Sequence, residues 1–150
     1  MSTRSFIGIE NHDGTVRAIY CHYDGYLEHV GNILVNNYKT RESVEKLLAL
    51  GDISSLCETP ETCKFSPCYS EKDEKERLEN AVWKNRREYV ENAWDDSGVE
   101  FVYLYSFGQW LCAPCTDYDD KVFRPLDEIE IRKLRTAMYQ RILDSYFGRN

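Results

Sequence analysis

Thr3-Arg-Ser-Phe-Ile-Gly-Ile-Glu-Asn-His-Asp-Gly-Thr-Val-Arg-Ala-Ile-Tyr-Cys-His-Tyr23 sets two alternating apolar runs on either side of Asp13-Gly14. Asp-Gly between such runs signals a tight antiparallel turn, because glycine accepts the positive φ that the turn needs. The spacing predicts strands over Arg4–Glu10 and Thr15–Tyr23. A two-residue turn at Asp13-Gly14 would set Glu10 opposite Arg17, His22 opposite Ser5 and Tyr23 opposite Arg4. Both faces of this hairpin are largely apolar, which places it inside a sheet rather than at its rim.

The chain continues with helical periodicity. Leu27, Val30, Leu34 and Tyr38 recur every three to four residues, predicting a helix over Leu27–Tyr38. Thr40 is suited to cap a second helix, Arg41–Leu50, which Gly51 ends. Residues 57–69 read as a loop. A charged helix is expected from Ser70 to Trp94, its Glu and Lys or Arg residues forming a solvated face, until Asp95-Asp-Ser-Gly98 breaks it. Phe107-Gly108 joins a second hairpin, Val99–Ser106 with Gln109–Ala113, in which Tyr105 opposes Trp110 and Tyr103 opposes Cys112. A last helix runs from Pro125 to Phe147 with Ile131, Leu134, Met138, Ile142 and Tyr146 as its buried stripe. The sum is a single α+β domain: an antiparallel sheet of about four strands, in two hairpins, packed with three to four helices. Residues 57–98, a cysteine-containing loop and a charged helix, read as an insertion.

Composition narrows the function classes. The 150 residues are 42% apolar and 13% aromatic, values of a globular chain, with a net charge of −7. That charge argues against a general nucleic-acid binder, which carries a basic face, and allows an acidic surface aimed at a basic partner. No apolar run is long enough to span a membrane and no leader opens the sequence, so a cytoplasmic protein is expected.

Three groupings could carry chemistry. The densest is the strand-to-helix corner, where Arg4, Ser5, His22, Tyr23, Asp24 and Tyr26 would meet in one patch. Arginine engages phosphate or carboxylate, tyrosines stack on a ring, and Asp24 and His22 give directional hydrogen bonds, so a small anionic or nucleotide-like ligand suits it. The catalytic version makes His22 a general base in a small enzyme acting on a nucleotide or phosphate ester. Its difficulty is that Cys21 and His22 point to opposite faces of a strand. The bland version is a polar network that ends a strand and caps a helix. The second grouping is Cys57, Cys63, Cys68, Cys112 and Cys115, which could hold zinc in a stabilised adaptor, with Cys112-Ala-Pro-Cys115 as the short pair. Its competitors are reduced thiols packed as small apolar groups and, less simply, disulfides. The third, Phe101, Tyr103, Tyr105, Phe107 and Trp110, reads as a cross-strand packing ladder rather than a stacking platform.

Thr3-Arg-Ser-Phe-Ile-Gly-Ile-Glu-Asn11, Asp13-Gly-Thr-Val16, Ile19-Tyr-Cys-His-Tyr-Asp-Gly-Tyr26, Gly31 and Leu50-Gly-Asp-Ile-Ser-Ser-Leu56 resemble the start of a family of small phage and prophage proteins of unassigned function. The resemblance covers roughly the first 56 residues. Tyr103-Leu-Tyr-Ser-Phe-Gly-Gln-Trp110 and Phe123-Arg-Pro-Leu126 are similar to its later part, whereas residues 57–98 are not. The resemblance implies an accessory phage product in the host cytosol, and the corner residues favour a binding protein over an enzyme. Such a product would capture a host protein or a nucleotide-like signal and so blunt host defence, with self-association an allowed state. No cofactor is implied by it, and zinc rests on the cysteines alone.

Overall fold

The computed structural model describes residues 2–63 and 74–147. Two hairpins supply its centre. β1 (Ser5–Glu10) and β2 (Val16–Cys21) form the first, β4 (Phe101–Ser106) and β5 (Gln109–Pro114) the second. They join through β1 and β4, which run parallel, so the sheet is mixed rather than antiparallel throughout. Short edge strands, β3 (Ala81–Trp83) beside β2 and β6 (Arg124–Pro125) beside β5, raise the strand number from the expected four to six, in the order β3-β2-β1-β4-β5-β6. The α+β class stands.

The expected register of the first hairpin is off by one residue. Ser5 lies opposite Cys21, not His22, and Glu10 opposite Val16, not Arg17. The cause is turn chemistry. Gly14 donates to the Asn11 carbonyl and Asn11 to the Thr15 carbonyl, with Gly14 at φ 88°. The loop therefore has three residues, a tight turn over His12-Asp13 followed by a left-handed glycine. Asp13 Oδ1 holds it by accepting from the Thr15 amide (3.0 Å) and hydroxyl (2.6 Å). Because side chains alternate, one residue of slip exchanges the faces of one strand relative to the other. The second hairpin adopts its expected register, Tyr105 opposite Trp110 and Tyr103 opposite Cys112, around a two-residue turn with Phe107 and Gly108 both at positive φ.

Helices cover both faces. On one, a wide π-helical turn, Leu27–Gly31, leads into α1 (Asn32–Asn37), and α2 (Arg41–Leu48) follows, capped by Thr40, which accepts from the Ser43 amide at 3.1 Å. Leu27, Val30, Leu34, Val44, Leu47 and Leu48 pack there on Ile7, Ile9, Ile19 and the rings of Tyr103, Tyr105 and Trp110. The opposite face is covered by α4 (Arg86–Ser97), whose Tyr89, Val90 and Ala93 meet Phe6, Val16, Val102 and Leu104. The expected helix from Ser70 to Trp94 is thus divided: α3 (Glu74–Leu78), then β3, then α4, started by Asn85 accepting from the Glu88 amide and closed by Gly98 at φ 64°. Its expected start at Ser70 lies outside the described residues.

The last helix, α5 (Glu128–Phe147), begins three residues later than expected, with Asp127 accepting from the Glu130 amide, because Pro125 belongs to β6. Only its first half buries apolar side chains. Ile131 and Leu134 are buried, but Ile142 is 53% exposed and Tyr146 81%, so the anticipated buried stripe ends near Met138. Among the described residues no helix is long and apolar enough to cross a membrane.

Candidate functional site

The six corner residues do not share one mouth. Ser5 is fully buried beneath Gly25, where a Cβ would come within 2.7 Å of the Ser5 Cβ, and its hydroxyl lies toward the Cys21 thiol. Arg4 is exposed and sits on the other face of the sheet, with Tyr20 and His22. Its guanidinium passes over Gly98, and its positive charge helps to depress the His22 pKa, although desolvation is the larger cause. The Tyr20 hydroxyl meets His22 Nδ1 at 2.7 Å, and the Tyr23 ring stands edge-on to the imidazole at 4.7 Å. Asp24 is exposed at φ 57°, where it turns the chain so that the Gly25 amide donates to the Thr3 carbonyl at 2.8 Å. Tyr26 points elsewhere again, into a shallow groove beside α5 that Leu27, Met138 and Tyr139 also line.

This arrangement does not build the nucleophile pair that the catalytic version needs. Cys21 lies on the face opposite His22, and burial pushes its thiol up to about 12, far from a thiolate at neutral pH. Ser5 shares that remote face.

The cysteines are likewise spread. Cys112 is buried among the α1–α2 side of the core and Cys115 on the α4 side, where its thiol donates to the Val99 carbonyl at 2.8 Å. Cys63 lies near Cys57 and Tyr38, its thiol 3.7 Å from the Tyr38 hydroxyl. Among the described residues no three His, Cys, Asp or Glu side chains come together as a metal would require. Cys68 lies outside the described residues. Of the third grouping, Tyr103, Tyr105 and Trp110 are buried and anchor neighbouring backbone: Tyr103 donates to the Gly25 carbonyl at 2.6 Å and Trp110 Nε1 to that of Tyr38 at 2.8 Å. Phe107, at the turn, is exposed.

A different cavity is better formed. The end of α4, the start of β4, the loop after β5 and the distal half of α5 enclose a cleft of about 640 Å³. That size suits a small organic group or a few side chains of a partner. Trp94, Phe101, Tyr118 and Tyr146 give it aromatic walls, and Glu100, Asp117 and Asp119 bring carboxylates. Its cation, Arg141, is already held by Asp119 at 2.9 Å and Asp120 at 3.5 Å, and Asp119 also accepts from the Thr116 amide. Glu100 differs. Its backbone is fixed between the Arg4 and Cys115 backbones, but among the described residues its carboxylate joins no hydrogen bond or ion pair. Burial raises its pKa, opposed by the positive charge of Arg4.

Sequence reasoning passed over this cleft because its walls come from four segments. Trp94 read as the end of a charged helix and Tyr146 as buried. The available signal was Thr116-Asp-Tyr-Asp-Asp120, a polar run carrying one large aromatic.

The chain matches no family model, no curated protein and no solved structure.

Proposed function

We propose that this chain is a binding protein rather than an enzyme, and that the cleft between α4 and α5 is where it takes its partner. In keeping with the resemblance of its first 56 residues to small phage proteins, the reading is an accessory product that captures a host protein. The single observation that carries the binding site is the cleft itself, a cavity of about 640 Å³ with aromatic walls. Carboxylates at its edge oppose an anion, so of the two captures considered, a host protein is favoured over a nucleotide-like signal. The dispersal of Arg4, Ser5, His22 and Tyr26 over different faces supports the same choice.

Amide and indole NMR of the full chain, mixed in turn with adenine nucleotides, organic amines and basic peptides, tests this. Shifts gathered on Trp94, Glu100, Tyr118 and Tyr146, with every compound recovered intact, are expected. Chemical conversion of a compound, or shifts gathered around Arg4 and His22 instead, would overturn the reading.

A further inference from the structure

Two tyrosines on different elements, Tyr118 after β5 and Tyr146 near the end of α5, hold about four-fifths of their surface in water while flanking the same cleft. Large aromatic rings paired in that way commonly mark a contact surface, since exposure forgoes the stabilisation of burial. Behind them stand Trp94 and Phe101. Ring faces carry partial negative charge and attract cations, tryptophan most strongly. The charged groups agree with the rings. Arg141 is neutralised by Asp119 and Asp120, whereas the carboxylates of Glu100 and Asp117 have no hydrogen-bond or ion-pair partner among the described residues. Arg4 lies close enough to influence Glu100 but outside ion-pair reach, so it offsets the Glu100 charge only in part.

We infer that the cleft recognises a cation on an apolar stem, an alkylammonium or guanidinium group, with Glu100 as its counter-ion and Trp94, Tyr118 and Tyr146 as the ring surfaces around it. The inference rests on the cleft being the binding site and adds what the site selects. A lysine or arginine side chain of a protein and a free amine share this chemistry. Met138 and Ile142, which also line the cleft, offer the apolar contact that the stem requires. Partial burial of Glu100 strengthens its attraction for a cation, because the surrounding protein screens less than water.

The experiment titrates the full chain with hexylammonium, hexanol and hexanoate, and with a blocked hexapeptide containing two lysines, following the Trp94 indole and neighbouring amides. Hexylammonium is expected to bind about tenfold more tightly than hexanol, with hexanoate weakest. Glu100→Gln should weaken hexylammonium about tenfold while leaving hexanol unchanged. Asp117→Asn, at an exposed loop position, gives the same comparison should Glu100→Gln fail to fold. A lysine peptide that outcompetes the amine supports the inference with a protein as the source; one that binds no better leaves the cation preference standing but counts against a captured host protein. Equal binding of hexylammonium and hexanol to the cleft, or indifference to both substitutions, overturns the cation preference and leaves the binding site standing. If no probe shifts the cleft resonances, the site falls too.

Discussion

Replacing Arg86 by Met should cost about 1.5–3 kcal/mol of stability at pH 7, and the cost should shrink in acid. Glu10 closes β1 with a side chain that is only 11% exposed. Arg86, at the first turn of α4, donates to it twice, Nε to Oε2 at 2.5 Å and Nη2 to Oε1 at 2.9 Å, and Ser106 at the end of β4 donates a third bond at 2.9 Å. A hydrogen bond to a charged group contributes about 1.5–3 kcal/mol net, so two would reach about 3–6. The Arg86 side chain is 43% exposed, so water replaces part of what is lost and about half of that range remains. Methionine keeps much of the arginine stem's packing, which confines the change to the charged head.

The sign with pH follows from the carboxyl. Arg86 holds the folded pKa of Glu10 below its ordinary value, chiefly through the side-chain hydrogen bonds. The stabilisation is therefore present above the ordinary Glu value, about 4.3, and is lost as pH falls through the lower folded value. Without Arg86, burial dominates and Glu10 protonates more readily, so parent and variant converge on acidification. Urea unfolding followed by circular dichroism, under reducing conditions at pH 7 and over a series carried below the ordinary Glu value, measures both. The melting temperature should fall by about 5–10 °C at pH 7 for a chain of this size. A double-mutant cycle with Glu10→Gln should give a coupling of about 1 kcal/mol or more. A variant within about 0.5 kcal/mol of the parent, or a difference indifferent to pH, would refute the reasoning.

Two further outcomes are expected. Gly25→Ala puts a Cβ 2.7 Å from the Ser5 Cβ, which the sheet holds, and 2.9 Å from the Thr3 carbonyl oxygen, so it should destabilise by about 1–3 kcal/mol, and adding Ser5→Gly should recover part of the loss in the same unfolding assay. His22 should titrate below the ordinary imidazole value of about 6.5 in an NMR pH series, and Arg4→Ala should move it only part of the way back, because desolvation is the larger cause. In stability terms its neutral form is favoured by folding, so this contribution is present above the unfolded pKa and fades as pH drops toward the folded one.

Local chemistry was legible in the chain and non-local chemistry was not. Phe107-Gly108 announces a two-residue turn, and the second hairpin takes the register it implies. Asp13-Gly14 announces a turn equally well, but Asn11 and Thr15 lengthen it by one residue. That single residue moves Ser5 away from His22 and breaks up the expected corner. β3 was hidden because Ala81-Val-Trp83 is too short to alternate visibly within a charged stretch. The parallel union of β1 with β4 leaves no local trace, since no turn joins them. α5 carries a helical apolar pattern to Tyr146 although the body it would cover ends near Met138, so periodicity alone overstates burial.

That parallel union bears on how the protein is made. Until residues 101–106 leave the ribosome, the β1 edge of the nascent first hairpin presents a bare flank of backbone donors and acceptors, and its proper neighbour lies 96 residues downstream. Closure over so large a sequence separation is slow, and an emerging strand of this kind invites pairing with another chain or shelter by a chaperone. Yield at high expression should therefore be set by the time β1 waits for β4 more than by the stability of the finished fold.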